Sequence, residues 1–130
     1  NKVALGTIDE IRIFGNDWNT RDGTCIRDFI HIMDLSEGHI LVLEKLFKEN
    51  NYNLVLNLGT GKGTTVLELI NKFQEINNIS IPYSFAKRRE GDCPIVVADN
   101  SLATSVLDWT PKRGIKDMCR DGWNWQYLNQ

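Results

Sequence analysis

Gly59, Gly61 and Gly63, with Lys62 between the last two, are the residues whose spacing first suggests chemistry. Three glycines in five residues let a backbone turn sharply and come close to a ligand or to another segment. Apolar residues 54–56 lead into the turn as an expected strand, and an amphipathic run, 66–76, leads out as an expected helix. Thr65 and Glu68 have capping-box spacing, so the helix should start there with its free N–H groups toward the turn, an arrangement that binds anions. The order is G-x-G-x-G, however, with Thr64 breaking the dinucleotide pattern G-x-G-x-x-G, and Lys62 is followed by Gly63 rather than the Ser or Thr of a P-loop. A phosphate cradle and a plain strand-to-helix turn both fit. Either reading marks an α/β unit with function at the C-terminal end of a strand.

A second candidate is the charged turn Lys87-Arg88-Arg89-Glu90-Gly91-Asp92. It reads either as a solvated surface cluster or as arginine forks for phosphate oxygens. Tyr83 and Lys87 have the Tyr-x-x-x-Lys spacing of the short-chain dehydrogenase catalytic pair. That pair needs one helix face, whereas this segment follows Pro82 and reads as a strand, which sets the two side chains four rises apart. The match is a coincidence of spacing. His31, among apolar neighbours, and His39, bordering a helix face, read as structural. Cys25, Cys93 and Cys119 are odd in number and far apart, without zinc spacing, and read as reduced thiols. No nucleophile–base pair or metal motif stands out, so the motifs alone point to no catalytic or metal-binding residue.

The elements that must position these residues alternate. A half-exposed strand covers 10–14, a polar loop around Trp18 covers 16–24, and 25–32 is a buried strand or turn. A helix spans 34–49 with Leu35, Leu43, Leu46 and Phe47 inward. A strand at 80–85 is pushed to a sheet edge by Pro82. Residues 95–97 follow, then a short helix from Asp99 or Asn100 to Leu107. A last helix, 115–127, has Ile115, Met118, Cys119, Gly122 and Trp123 on one face. This alternation predicts an α/β layer arrangement.

At 130 residues the chain is one domain by size. A net charge of −2 without a basic block argues against nucleic acid or an anionic membrane as partner. No apolar run approaches membrane length and the amino terminus lacks a signal-peptide layout, so a cytoplasmic location is expected. The chain opens without methionine and reads as part of something longer.

Several stretches together resemble the UDP-glucose (UDP-galactose) 4-epimerases of the extended short-chain dehydrogenase/reductase superfamily. They are the loop Phe14-Gly15-Asn16-Asp17 through Asp22-Gly23-Thr24, Asn57-Leu58-Gly59-Thr60-Gly61, Arg88-Arg89-Glu90-Gly91-Asp92, and Met118-Cys119-Arg120-Asp121 with Trp123 and Trp125-Gln126. Arg27-Asp28-Phe29-Ile30-His31 matches too but is shared with other extended members. The resemblance implies a carboxy-terminal, substrate-binding portion of mixed short strands and helices, with the Rossmann domain absent. It implies NAD as cofactor of the parent enzyme, bound outside this chain, a UDP-sugar substrate, and a homodimeric parent. It assigns Phe14 and Val66 to the uracil, Arg27 to the ribose and phosphates, Arg89 to the pyrophosphate, and Asp92 to the uridine ribose. Val96 falls where relatives carry either tyrosine or a small residue beside the hexose; it also fits a plain strand position. The glycine turn becomes scaffold that positions Val66.

Four residues depart from the family pattern: Phe29 and Trp18 replace tyrosines, Cys25 a glycine, and Asn19 a proline. Another extended-family dehydratase, decarboxylase or epimerase, and a non-catalytic nucleotide-binding module, are the competing expectations.

Overall fold

The computed structural model describes residues 1–49 and 53–129. Among them are five short strands and four helices: β1 (Ile11–Phe14), β2 (Ile26–Arg27), α1 (Ile32–Lys48), β3 (Thr64–Thr65), α2 (Val66–Asn77), β4 (Tyr83–Ala86), β5 (Ile95–Val96), α3 (Ser101–Leu107) and α4 (Ile115–Leu128). They form two small sheets. β1 and β4 pair in parallel, Ile11 opposite Tyr83 and Phe14 opposite Ala86. In the other sheet β2 is central, antiparallel to β3 and parallel to β5.

Helix α2 begins where the sequence puts it. Thr65 Oγ1 accepts from Glu68 N at 3.0 Å, and Glu68 Oε2 accepts from Thr65 N at 2.9 Å, completing the capping box. One face of α2 buries Ile70 against Ile13 of β1 and Ile81, with Val66, Leu67 and Phe73 around them. Each such isoleucine contributes roughly 1.5–3 kcal/mol by leaving water. Helix α4 packs against α2 with its expected face: Cys119 is buried, and the Trp123 ring meets Phe73 edge-on at 6.1 Å. β4 lies in a two-stranded sheet, so Pro82 does sit at an edge, with its carbonyl accepting from Ile11 N.

Helix α1 differs from expectation in two ways. It starts two residues early, because His31 is the N-cap and its Nδ1 accepts from Met33 N at 3.1 Å. An accepting Nδ1 leaves the proton on Nε2, which donates to Asp121 of α4 at 3.2 Å. His31 is therefore structural, as expected, and so is His39, bonded to the Leu35 carbonyl. The helix is also rotated by roughly a third of a turn from the expected face. Asp34 and Gly38 are buried, whereas Leu43, Leu46 and Phe47 are exposed, Phe47 at 88%. α1 is apolar on two sides, and α3, Leu58 and Trp109 cover the one with the small residue. At Gly38 a Cβ would lie 3.0 Å from Leu58 and 3.3 Å from Trp109.

Residues 54–56 form no strand among the described residues, and Val55 is 85% exposed. An apolar triplet needs a neighbouring strand to supply its backbone partners. The total accessible surface, 8699 Å², exceeds the roughly 7,000 Å² of a compact monomer of this mass. Exposed large apolar side chains, Phe47, Val55 and Leu128 among them, contribute to it.

Candidate functional site

The glycine turn already holds an anion, and it belongs to the protein. Asp28, just after β2, accepts from Thr60 N at 2.9 Å and from Thr60 Oγ1 through Oδ1. Its Oδ2 accepts from Gly61 N at 3.0 Å and Ala98 N at 3.3 Å. A Cβ on residue 59 would lie 2.7 Å from that carboxylate, and one on residue 63 would lie 2.4 Å from Ile26. The glycines therefore serve close packing. The amino end of α2 is equally occupied: Val66 N donates to the Cys25 carbonyl, Leu67 N to Thr24 Oγ1, and Glu68 N to Thr65. At both places the amides of Thr60, Gly61, Val66, Leu67 and Glu68 are already paired within the chain, which leaves a poor cradle for the pyrophosphate of NAD. Lys62 plays no cradle role.

The loop between β1 and β2 is fixed near its β2 end. Asp22 accepts from Thr24 N and Oγ1 and from Thr65 Oγ1. Burial raises the Asp22 pKa, but those three bonds outweigh it and hold the carboxyl below its ordinary range. Arg21 grips Glu68 and the Gly63 carbonyl. Arg21 thereby holds the Glu68 pKa down at about 2.

Of the six residues expected to bind substrate, the structure brings five to one rim. Phe14 ends β1, and the Arg89 guanidinium lies over its ring, 3.7 Å from the centroid. Arg27 and Val96 are register partners in β2 and β5. Arg27 Nη2 stands 3.8 Å from Asp92 Oδ1, while its Nη1 donates to the carbonyls of Ile26 and Cys93 at 2.8 and 2.9 Å. One turn links the two pairs, since it carries both Arg89 and Asp92 and is closed by Asp92 N on the Arg89 carbonyl. Val66 differs: it packs partly against the Ile13–Ile70–Ile81 core at the start of α2. Beside Val96 and Arg27 an open cleft of about 410 Å³ runs along Asn57, Leu58 and Gly59 to Asp99. Only Arg27 and Val96 of the five line this cleft; Phe14, Arg89 and Asp92 join them through the 88–92 turn. Arginines, a carboxylate and an aromatic ring so linked can hold a phosphorylated group and a planar ring together.

Some residues at this rim escaped sequence reasoning. Asp28 is one; its partners lie more than thirty positions away, so no local pattern reveals it. Arg88 and Trp18 are others, stacked at 4.0 Å. In the sequence Arg88 was only a member of the charged 87–92 turn and Trp18 only a departure from the family's tyrosine; nothing there paired them. Tyr83 lies on β4 and packs edge-on against Phe85, with Lys87 beyond the strand end, so the Tyr-x-x-x-Lys spacing has no helix face. Cys25, Cys93 and Cys119 are free thiols. Among the described residues no three His, Cys, Asp or Glu side chains converge on a metal position. No helix of the described residues is long and apolar enough to cross a membrane.

The model of a family described as GDP-mannose 4,6 dehydratase matches residues 1–122. The chain is 49% identical over 129 residues to UDP-glucose 4-epimerase 3 of Oryza sativa subsp. japonica, covering 98% of this chain and 35% of that protein. It is 44% identical over 128 residues to the UDP-glucose 4-epimerase of Bacillus subtilis (strain 168), covering 98% and 38%. The fold matches the crystal structure of UDP-glucose 4-epimerase from Stenotrophomonas maltophila with bound NAD and formylated UDP-arabinopyranose. The TM-score is 0.93 at 41% identity, over 98% of this chain and 38% of that one. The expected likeness to UDP-glucose 4-epimerases is borne out, as is the α/β portion of an extended short-chain dehydrogenase/reductase fold. The chain spans a little over a third of the length of these relatives.

Proposed function

The chain belongs to the family described as GDP-mannose 4,6 dehydratase, and from that premise we propose that it is the substrate-binding portion of a UDP-glucose 4-epimerase. The parent reaction interconverts UDP-glucose and UDP-galactose, with NAD as hydride carrier held by the remainder of the polypeptide. Residues 1–130 act as one domain that binds and orients the UDP group. In this reading Arg89 and Arg27 neutralise the diphosphate, Phe14 and Val66 flank the uracil, Asp92 binds the ribose, and Val96 borders the hexose. The parent works as a homodimer in the cytoplasm, where its cysteines stay reduced.

The observation that carries this reading is the 88–92 turn. It sets Arg89 on Phe14 and Asp92 beside Arg27, so four of the six assigned side chains meet through one short segment. While Arg89 stays there, one face of Phe14 is covered, and a uracil ring has the other face or the edge. The test is Arg89→Ala in the full-length protein. Losing a charge-assisted phosphate contact costs about 1.5–3 kcal/mol, so KM for UDP-galactose should rise roughly 10- to 150-fold. Phosphate contacts exist in ground and transition states alike, so kcat should change much less. A fixed KM with a collapsed kcat would refute the role given to Arg89.

A further inference from the structure

Two successive arginines of the 87–92 turn lie on two aromatic rings of one loop. Arg89 covers Phe14, and Arg88 covers Trp18 at 4.0 Å. The second contact is reinforced: Arg88 Nε donates to Asp17 Oδ1 at 2.7 Å, and its Nη2 donates to the Asp17 carbonyl. Trp18 in turn donates its indole N–H to the Phe14 carbonyl at 3.1 Å. The next amide, Gly15 N, donates to Ala86 at 2.8 Å, so the backbone of Phe14 is pinned from two directions. Gly15 sits at φ +85, and a Cβ there would stand 2.3 Å from Trp18 Nε1 and 2.9 Å from Arg88 Cγ. The loop is thus shaped to admit the indole and the guanidinium together.

We propose that Trp18, with Arg88 and Asp17, is a positioning clasp that presets the Arg89–Phe14 pair for a nucleoside diphosphate. Resting on the function proposed above, it adds residues that do not themselves touch the ligand. Arg88 and Arg89 are adjacent, so fixing Arg88 limits where the Arg89 backbone goes. The indole bond, made to the Phe14 carbonyl, fixes the backbone from which the Phe14 ring projects. A tyrosine at position 18 would carry its hydrogen-bonding group at the far end of the ring rather than at the indole edge. The bond to Phe14 is therefore particular to tryptophan.

The experiment measures UDP affinity by calorimetry and UDP-galactose kinetics in the full-length protein, for Trp18→Phe, Arg89→Ala and the double variant. Phenylalanine keeps a ring under Arg88 and removes the N–H. UDP affinity should fall roughly 2- to 13-fold, the net worth of one neutral hydrogen bond, with KM rising in step and kcat held. In the Arg89→Ala background the same change should have no further effect, because coupled residues are non-additive. A structural weakening unrelated to Arg89 would give the same loss in both backgrounds, and that result overturns the clasp. If Trp18→Phe yields too little folded protein, Arg88→Gln, on the half-exposed side, replaces it with the same expected outcome. A wild type that ignores UDP, or an Arg89→Ala variant that binds it normally, overturns the function and the clasp together. A weakened Arg89→Ala beside an unaffected Trp18→Phe overturns the clasp alone.

Discussion

If the glycine turn is organised by Asp28, removing that carboxylate should unlatch it, and a small anion should latch it again. Asp28 receives four donors: Thr60 N, Thr60 Oγ1, Gly61 N and Ala98 N. Asp28→Ala leaves three backbone amides without this acceptor and leaves the Thr60 hydroxyl only the Lys62 carbonyl at 3.3 Å. Hydrogen bonds to a charged group are each worth about 1.5–3 kcal/mol. Water can reach part of this half-buried site and replace some of them, so the net loss should be about 3 kcal/mol rather than the full sum. A loss of that size is a large fraction of a typical 5–15 kcal/mol stability. The assay is urea unfolding of full-length wild type and variant, with and without formate. Formate restores the two missing oxygens, so the variant midpoint should rise with formate in a saturable way while wild type stays flat. A variant within about 0.5 kcal/mol of wild type would place it among ordinary surface substitutions and refute the reasoning. So would a formate response equal in both proteins.

Three other outcomes are expected. Glu68 is held at about 2 against an ordinary 4.5, so the stability it contributes is present above about 4.5 and lost as pH falls toward 2. The Arg21–Glu68 pair is half-exposed, so Glu68→Gln should cost about 1 kcal/mol at pH 7 and less at pH 3; a gap that does not narrow in acid refutes the pair. Val96 is half-exposed beside the open cleft, so full-length protein should also epimerise UDP-N-acetylglucosamine, and Val96→Tyr should suppress that kcat/KM while sparing UDP-glucose; equal handling by both variants sinks the idea. The 130-residue chain alone should show no turnover of UDP-galactose, and its exposed Phe47, Val55 and Leu128 should bind an apolar dye strongly; clear turnover would move the chemistry into this piece.

What was legible in the sequence was mostly local. Thr65 and Glu68 start α2 because both halves of the capping box lie within one turn. The buried face of α4 follows from its own periodicity, and Pro82 marks an edge because its ring removes a donor. Legibility ended where a long-range partner decides the outcome. Helix α1 has apolar residues on two sides, and its periodicity cannot say which one Trp109 and Leu58 will meet. Residues 54–56 have strand composition but form no strand among the described residues. The glycine turn was ambiguous because its filler, Asp28, arrives from the end of β2, more than thirty residues away in sequence. At the rim, the family motif singled out Arg89 and Asp92, whose contacts with Phe14 and Arg27 are long-range, as is the Trp18–Arg88 stack that no local pattern reveals.

The parallel pairings have a consequence for how the chain acquires this shape. Residue 11 finds residue 83, and residue 26 finds residue 95, so neither sheet can close until most of the chain is available. Each closure spans about 70 residues, and bringing such distant ends together costs entropy before any contact rewards it. On a ribosome, α1 and the 16–24 loop emerge early and wait without their sheet partners. α2 and its capping box are different: their bonds are local and can form as soon as residues 65–77 are free. Folding should therefore begin at α2 and gather the earlier strands onto it. The rim around Arg89 and Asp92, which needs both sheets, should be among the last features to form.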